Sequence, residues 1–316
     1  MSELKEIDLS KAKLYPFSSE ERKVRVEDFA QGYSPGDDFA LFLDSLPHIL
    51  KAKELNEFVA SILRAHQKGR PVIFMMGAHL IKCGLSPILI DLMEHGVITG
   101  LATNGAGVIH DVEIALWGRT SEDVEKGLQD GSFGMCAETG GLINEALKEG
   151  IEKGQGFGEA IGEKIEGLKA PQRRFSLFWT AHRLGIPFTV HVALGADVIH
   201  QHPSSKGEVI GKASLRDFRV FSHMLASLQG GVVINFGSAV ILPEVFLKGL
   251  NLVRNLGYRV TEFTTANFDM YPLYRPLKNV VERPHSLGGR GFLFIGHHEI
   301  MLPLLAGAIK SKLKRK

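Results

Sequence analysis

Residues 71–107 read PVIFMMGAHLIKCGLSPILIDLMEHGVITGLATNGAG. A short apolar run, a small-residue turn, an amphipathic stretch and a second apolar run follow one another here. Such a run, closed by turn residues, fits a strand buried on both faces, and the amphipathic stretch between two of them fits a crossover helix. The same alternation recurs downstream. Strands are expected in 186–195 (IPFTVHVALG), 230–238 (GGVVINFGS), 258–267 (YRVTEFTTAN) and 291–298 (GFLFIGHH), as well as in 71–77 and 98–105. Helices are expected in 80–96 and 242–257. This pattern predicts the α/β class: a doubly wound, mostly parallel sheet of Rossmann-like topology, covered on both faces.

The flanking regions set the domain plan. Residues 1–38 are polar and charged and read as an extended N-terminal arm, so residues 39–316 are expected to form a single α/β domain. Within it, residues 39–69 carry apolar residues at helical spacing broken by Pro47, an entry helix or helix pair. Residues 120–168 read as helices with glycine breaks inserted between strands. The chain has 316 residues and a formal net charge of +2, with acidic and basic residues interspersed, which gives no nucleic-acid footprint. The basic tail, 310–316 (KSKLKRK), reads as a solvated helix end. Cys83 and Cys136 stand far apart with no metal-ligand spacing, and neither a signal peptide nor a membrane-spanning run is visible. A cytoplasmic protein without membrane partners is the expectation.

Ligands of doubly wound sheets bind outside the carboxyl ends of the strands. Those ends read MMGAH, ATNGAG, ALGAD, NFGSA and TTANFD. Small residues with one polar side chain apiece favour a cleft for a nucleotide or a similarly large polar ligand. The candidate cofactor-binding residues are Gly77, His79, Asn104, Gly105, Ala106, Gly107, Gly237, Ser238, Thr265, Ala266 and His298. The GxGxxG fingerprint is absent from its usual place.

The order of these segments resembles the deoxyhypusine synthase family. The resemblance rests on the stretch from Met75 to Asp111, on FWTAHRLGIPFTVHVALGAD (178–197), on 230–269, and on LPLLAGAI near the carboxyl terminus. It implies a homotetrameric, NAD-dependent enzyme that oxidises spermidine and passes an aminobutyl group through a lysine imine. It also implies departures. The family's WGK lysine falls on Pro284, its tryptophan on Glu282, and an acidic polyamine-binding residue on Lys278. The family's histidine falls near Leu242 or Pro243, a glutamate of the dinucleotide site on His110 and an aspartate on His297, while an aspartate is kept at Asp197. Proline offers no amine for an imine. A divergent enzyme of transferase or oxidoreductase type is therefore expected, rather than a true deoxyhypusine synthase.

Two gains accompany these losses. Histidines gather at the strand ends: His79, His110, His191, His297 and His298, with His200 and His202 alternating in a strand-like segment. They suggest either general acid–base chemistry or a divalent metal held by three imidazoles, although no metal ligand set stands out. Positive charge enters through Arg275, Lys278, Arg283 and Arg290, which suggests a small anionic substrate bound by Arg275 and Arg290. His110, Asp197, Asp269, His297, Lys278 and Glu282 are the candidate catalytic residues, and Asp111 reads as a helix support. The expected partner is thus a small-molecule ligand, with NAD as the implied cofactor. NAD-dependent aminobutyl transfer and a non-catalytic ligand-binding or scaffold role are the alternatives.

Overall fold

A computed structural model describes residues 4–313. Six strands, β1 (Val72–Met76), β2 (Gly100–Asn104), β3 (Phe188–His191), β4 (Val232–Phe236), β5 (Thr264–Asp269) and β6 (Arg290–Ile295), form one sheet in the order β3-β2-β1-β4-β5-β6. All five pairings are parallel. This is the expected doubly wound sheet. The chain leaves β1 toward one edge, then crosses back after β3 to the other side of β1, so the strand order reverses between β1 and β4.

Side-chain alternation along the strands builds a core on each face. Val72, Phe74 and Met76 enter one core with α2 (Leu50–Gln67), α4 (Ser86–Glu94) and α5 (Gly105–Trp117), whereas Ile73 and Met75 enter the other. On the first face the rings of Phe74, Phe236, Phe268 and Phe294 run across four adjacent strands, with centroid separations of 5.8, 4.8 and 4.7 Å. The remaining helices are α1 (Phe39–Asp44), α3 (His79–Lys82), α6 (Val124–Asp130), α7 (Ala137–Glu152), α8 (Phe157–Gly167), α9 (Leu177–Leu184), α10 (Gly207–Ala226), α11 (Ile241–Asn255) and α12 (His298–Lys312). Ile143, Leu147, Phe157, Ile161 and Ile165 of α7 and α8 are buried in the first core. Residues 4–38 are almost wholly exposed.

Several local expectations are corrected. Residues 258–263 are not part of β5; the Gln229 side-chain oxygen accepts from the amides of Thr261 and Glu262, and the Val260 carbonyl accepts from Arg254. Those backbone groups are thereby satisfied outside the ladder, and β5 starts only at Thr264. Residues 80–96 are not one helix, because the chain turns at Gly84 with φ +72° between α3 and α4. His200 lies in a 3-10 turn (Val198–Gln201) and not in a strand. Of the basic tail, Lys310 and Lys312 end α12 against Asp91 and Asp44, and residues 314–316 lie outside the described residues. Among the described residues no helix is long and apolar enough to cross a membrane.

Candidate functional site

The reversal of strand order places Gly77, after β1, beside Gly237, after β4. The Gly77 amide donates to the Phe236 carbonyl at 3.0 Å, and a Cβ on Gly77 would fall 2.3 Å from the Gly237 carbonyl oxygen. Gly237 has φ +68°, and its own Cβ would fall 2.7 Å from the His298 ring. Only glycine fits either position without displacing a neighbour. His298, the first residue of α12, is 2% exposed, and both of its ring nitrogens lack a partner in the protein. Its ring lies 5.3 Å from that of Phe236, and the exposed His79 ring stands edge-on at 5.6 Å. Burial holds the His298 pKa below the ordinary imidazole range, and His79 and His297 push the same way against Asp269 and Glu299. His298 is therefore a neutral imidazole, with one nitrogen able to donate and one to accept.

Asp269 closes β5 at the same edge. It is 6% exposed, and its Oδ1 accepts from the Met270 amide at 2.8 Å. Its charge reaches His298. A neutral imidazole beside a carboxylate can take a proton and have the resulting charge stabilised. His297, the residue before α12, is exposed with Nδ1 3.9 Å from Glu299 Oε1. Ser238 is turned to structure: its hydroxyl accepts from the Leu242 amide at 3.3 Å, near the start of α11.

The turn after β2 is occupied by the chain itself. Asn104 caps α5, its side-chain oxygen accepting from the Gly107 amide at 3.1 Å, so it does not present that oxygen to a ligand. Gly107 lies against the Thr103 side chain, and the Asp197 carboxylate packs on Gly105, where a Cβ would fall 2.1 Å from its Oδ2. Burial raises the Asp197 pKa, opposed by His200 and by the Ala106 amide. His200 Nδ1 accepts from the amides of Gly195 and Asp197, so its proton is on Nε2, 3.8 Å from Asp197 Oδ2. An anion drawn to the start of α5 would meet this carboxylate.

His110 sits in the second turn of α5. Thr120 donates to Glu113 at 2.5 Å, so His110 Nδ1 donates to the Thr120 hydroxyl at 2.7 Å. Burial, helped by Lys82, lowers its pKa to about 4. His191, at the end of β3, is buried with a pKa lowered by burial to about 3, and His202 bonds Ser204. Among the described residues no three His, Cys, Asp or Glu side chains gather to hold a metal. The histidines near the strand ends thus form separate clusters, and the divalent-metal expectation has no ligand set.

Three site expectations are corrected by the direction of the strands and two more by ion pairing. Thr265 and Ala266 stand at the start of β5, at the edge opposite the crevice; Thr265 donates to the Val280 carbonyl at 2.6 Å and accepts from His285 Nε2 at 2.8 Å. Arg290 opens β6 at that same opposite edge and pairs with Glu57 at 2.7 Å. Arg275 pairs with Glu244 at 3.1 Å, and Lys278 pairs with Glu282 along a π-helical segment (Leu277–Glu282). The crossover from β5 to β6 runs from one sheet edge to the other, so these basic residues cannot converge on one substrate. Asp111 does support a helix, but it is α9: it accepts from the Ser176 hydroxyl at 2.5 Å and the Leu177 amide at 2.7 Å. Sequence reading missed Asp217, whose carboxylate accepts from the Gly158 and Val190 amides. Its signal was its place among Ala213, Phe221 and Leu225 on the apolar face of α10.

A parallel sheet of this order, with Gly77 and Gly237 meeting where the order reverses, defines a doubly wound α/β protein. No family model matches the chain. A curated deoxyhypusine synthase-like protein of Chlorobaculum parvum (strain DSM 263 / NCIMB 8327) is 21% identical over 220 residues, covering 60% of this chain. The match spans 62% of that relative's length. A proposed deoxyhypusine synthase from Entamoeba histolytica superimposes with a TM-score of 0.55 at 12% identity, over 90% of this chain and 98% of its own. A proposed LOR/SDH protein from Methanococcus maripaludis S2 gives 0.54 at 15%, over 83% and 69%. AgrE in ternary complex with ornithine and NAD+ gives 0.56 at 13%, over 82% of this chain and 33% of its own. The chain is thus similar in sequence to that deoxyhypusine synthase-like protein and in fold to the Entamoeba structure.

Proposed function

We propose that this chain is an enzyme that binds a dinucleotide, NAD being the candidate, in the crevice between the ends of β1 and β4. His298 and Asp269 would be its acid–base pair toward a small substrate. One observation carries the reading: a fully buried imidazole with two unpartnered nitrogens lies over a glycine that has no room for a Cβ. Leaving a buried polar group unpaired costs about 1–3 kcal/mol, a cost that a hydroxyl-bearing ligand would remove. The fold shared with AgrE, seen with NAD+, supports the choice of cofactor. The crevice residues fit such a ligand through Gly77, Gly237, His298 and Asp269, whereas the start of α5, closed by Asp197, does not serve its phosphates. NAD, when bound, accepts or returns a hydride. The chain's own part is to hold a hydroxyl between His298 and Asp269 and to move its proton to the imidazole.

An anionic substrate loses its support, since Arg275, Lys278 and Arg290 are each paired and dispersed. Imine-based aminobutyl transfer is not favoured either, because the mapped lysine position is Pro284 and Lys278 is held by Glu282. A homotetramer remains part of the proposal. Leu194, Val240, Tyr271, Ile295 and Ile300 leave large apolar side chains exposed around the strand ends, where a second copy would cover them.

Native mass spectrometry with added NAD tests both points. The expected result is a tetramer carrying dinucleotide. In Gly237→Ala the added Cβ would press on His298 and weaken binding at least about tenfold, with the tetramer retained. Equal binding by the variant and the wild type, or none by either, would contradict the proposal.

A further inference from the structure

Helix α10 turns Ala213, Phe221 and Leu225 inward, and on its opposite face it carries Lys212, Arg216, Arg219 and His223. Their spacing of four, three and four residues places them in one exposed stripe roughly 16 Å long. Several helical cations of this chain hold a carboxylate, as Lys51 does Glu54, Lys164 Glu149, Arg183 Glu94, Lys248 Glu244 and Lys310 Asp91. Among the described residues Lys212, Arg216 and Arg219 have none within 4.0 Å.

Beside the stripe a groove of about 710 Å³ opens between α10 and the turn joining α7 to α8. Ile151, Leu215 and Val220 give it apolar walls, and the four basic side chains line it as well. Gly211 faces this groove from inside the helix. A glycine there costs helix stability relative to alanine, yet its Cβ would meet nothing within 4 Å. No contact within the chain requires it, and the space it leaves belongs to the groove.

We propose that this groove binds a phosphorylated small molecule, its phosphate on Lys212, Arg216 and Arg219 and its carbon body against Ile151, Leu215 and Val220. Guanidinium groups take phosphate through paired, charge-assisted hydrogen bonds, and unpaired cations have no competing carboxylate to release. The site is separate from the strand-end crevice. The stripe descends α10 toward Met224, which packs against Gly100 at the start of β2.

Isothermal titration of the full chain with phenyl phosphate tests the proposal, with inorganic phosphate as the comparison. Saturable one-to-one binding is expected, weaker for inorganic phosphate and weakened at least about tenfold by Arg216→Gln/Arg219→Gln. Gly211→Leu is expected to weaken it similarly by filling the groove, while leaving a better helix former in place. Gly237→Ala, at the junction of β1 and β4, should leave phenyl phosphate binding unchanged even though it weakens NAD binding. Absence of wild-type binding, insensitivity to Gly211→Leu, or loss in Gly237→Ala would each overturn it.

Discussion

Asp217→Ala is expected to lower the unfolding free energy by about 3–5 kcal/mol, because it leaves buried backbone donors without an acceptor. Oδ2 of Asp217 accepts from the Gly158 amide at 3.0 Å and the Val190 amide at 2.7 Å, tying the start of α8 to β3. Asn at this position keeps that acceptor and removes the titration. Burial pushes the Asp217 carboxyl up to about 7, against the amides of Gly158, Val190 and Phe157. In the unfolded chain the same carboxyl ionises near its ordinary value of 3.8. Between these values the folded state holds a proton that the unfolded state lacks, so this stabilisation is complete below the lower value and lost as pH rises through the higher.

The wild-type profile alone would hide this effect. Asp111, raised by burial to about 6, acts with the same sign, whereas His110 and His191, lowered by burial to about 4 and about 3, stabilise increasingly as pH rises toward 6.5. The difference between proteins isolates one group. Urea melts at several pH values between 4.5 and 6.5 should show Asp217→Asn gaining about 1.4 kcal/mol per pH unit relative to wild type. Parallel profiles would mean that the carboxyl is ionised throughout.

Gly158→Ala should cost about 3 kcal/mol or more, the upper range for overpacking. Its Cβ would fall 1.7 Å from the carbonyl oxygen of Phe188, the first residue of the edge strand β3, whose backbone is held in its ladder with β2 and can yield only by disturbing that pairing. Gly141 in α7 provides the contrast, with nothing within 4 Å of its Cβ. Gly141→Ala should stabilise by about 0.5–1 kcal/mol. Thermal melts of the two variants check the pair together.

The fold was legible because two-sided burial writes continuous apolar runs, and each of VIFMM, FTVH and VVINF became a strand. Where a run begins was less legible. In 258–267 an apolar, β-branched stretch enters the sheet only at Thr264, since Gln229 and Arg254 satisfy the preceding backbone. That shift moved Thr265 and Ala266 from the ligand edge to the opposite one. Arg290 illustrates a rule that sequence could have supplied: a residue that opens a strand of a parallel sheet lies at the edge away from the ligand crevice.

Side-chain partners were the other hidden layer. Nothing in NGAG reveals that Asp197, some 90 residues later, packs on Gly105, or that Glu244 pairs with Arg275. Those meetings depend on how α5 and α11 pack. The pairing of Gly77 with Gly237 is different. It follows from strand order alone, and once β1 and β4 are neighbours the turns after them must meet.

The account rests on His298 meeting a dinucleotide at that junction. The most direct measurement is NMR of protein with 15N-labelled histidine, His298 being assigned by the signals lost in His298→Asn, as NAD is added. The account predicts that the His298 ring nitrogens start as a neutral imidazole without hydrogen-bond partners and shift on saturation. A His298 signal that stays fixed while NAD binds elsewhere, or while no binding occurs, would contradict it.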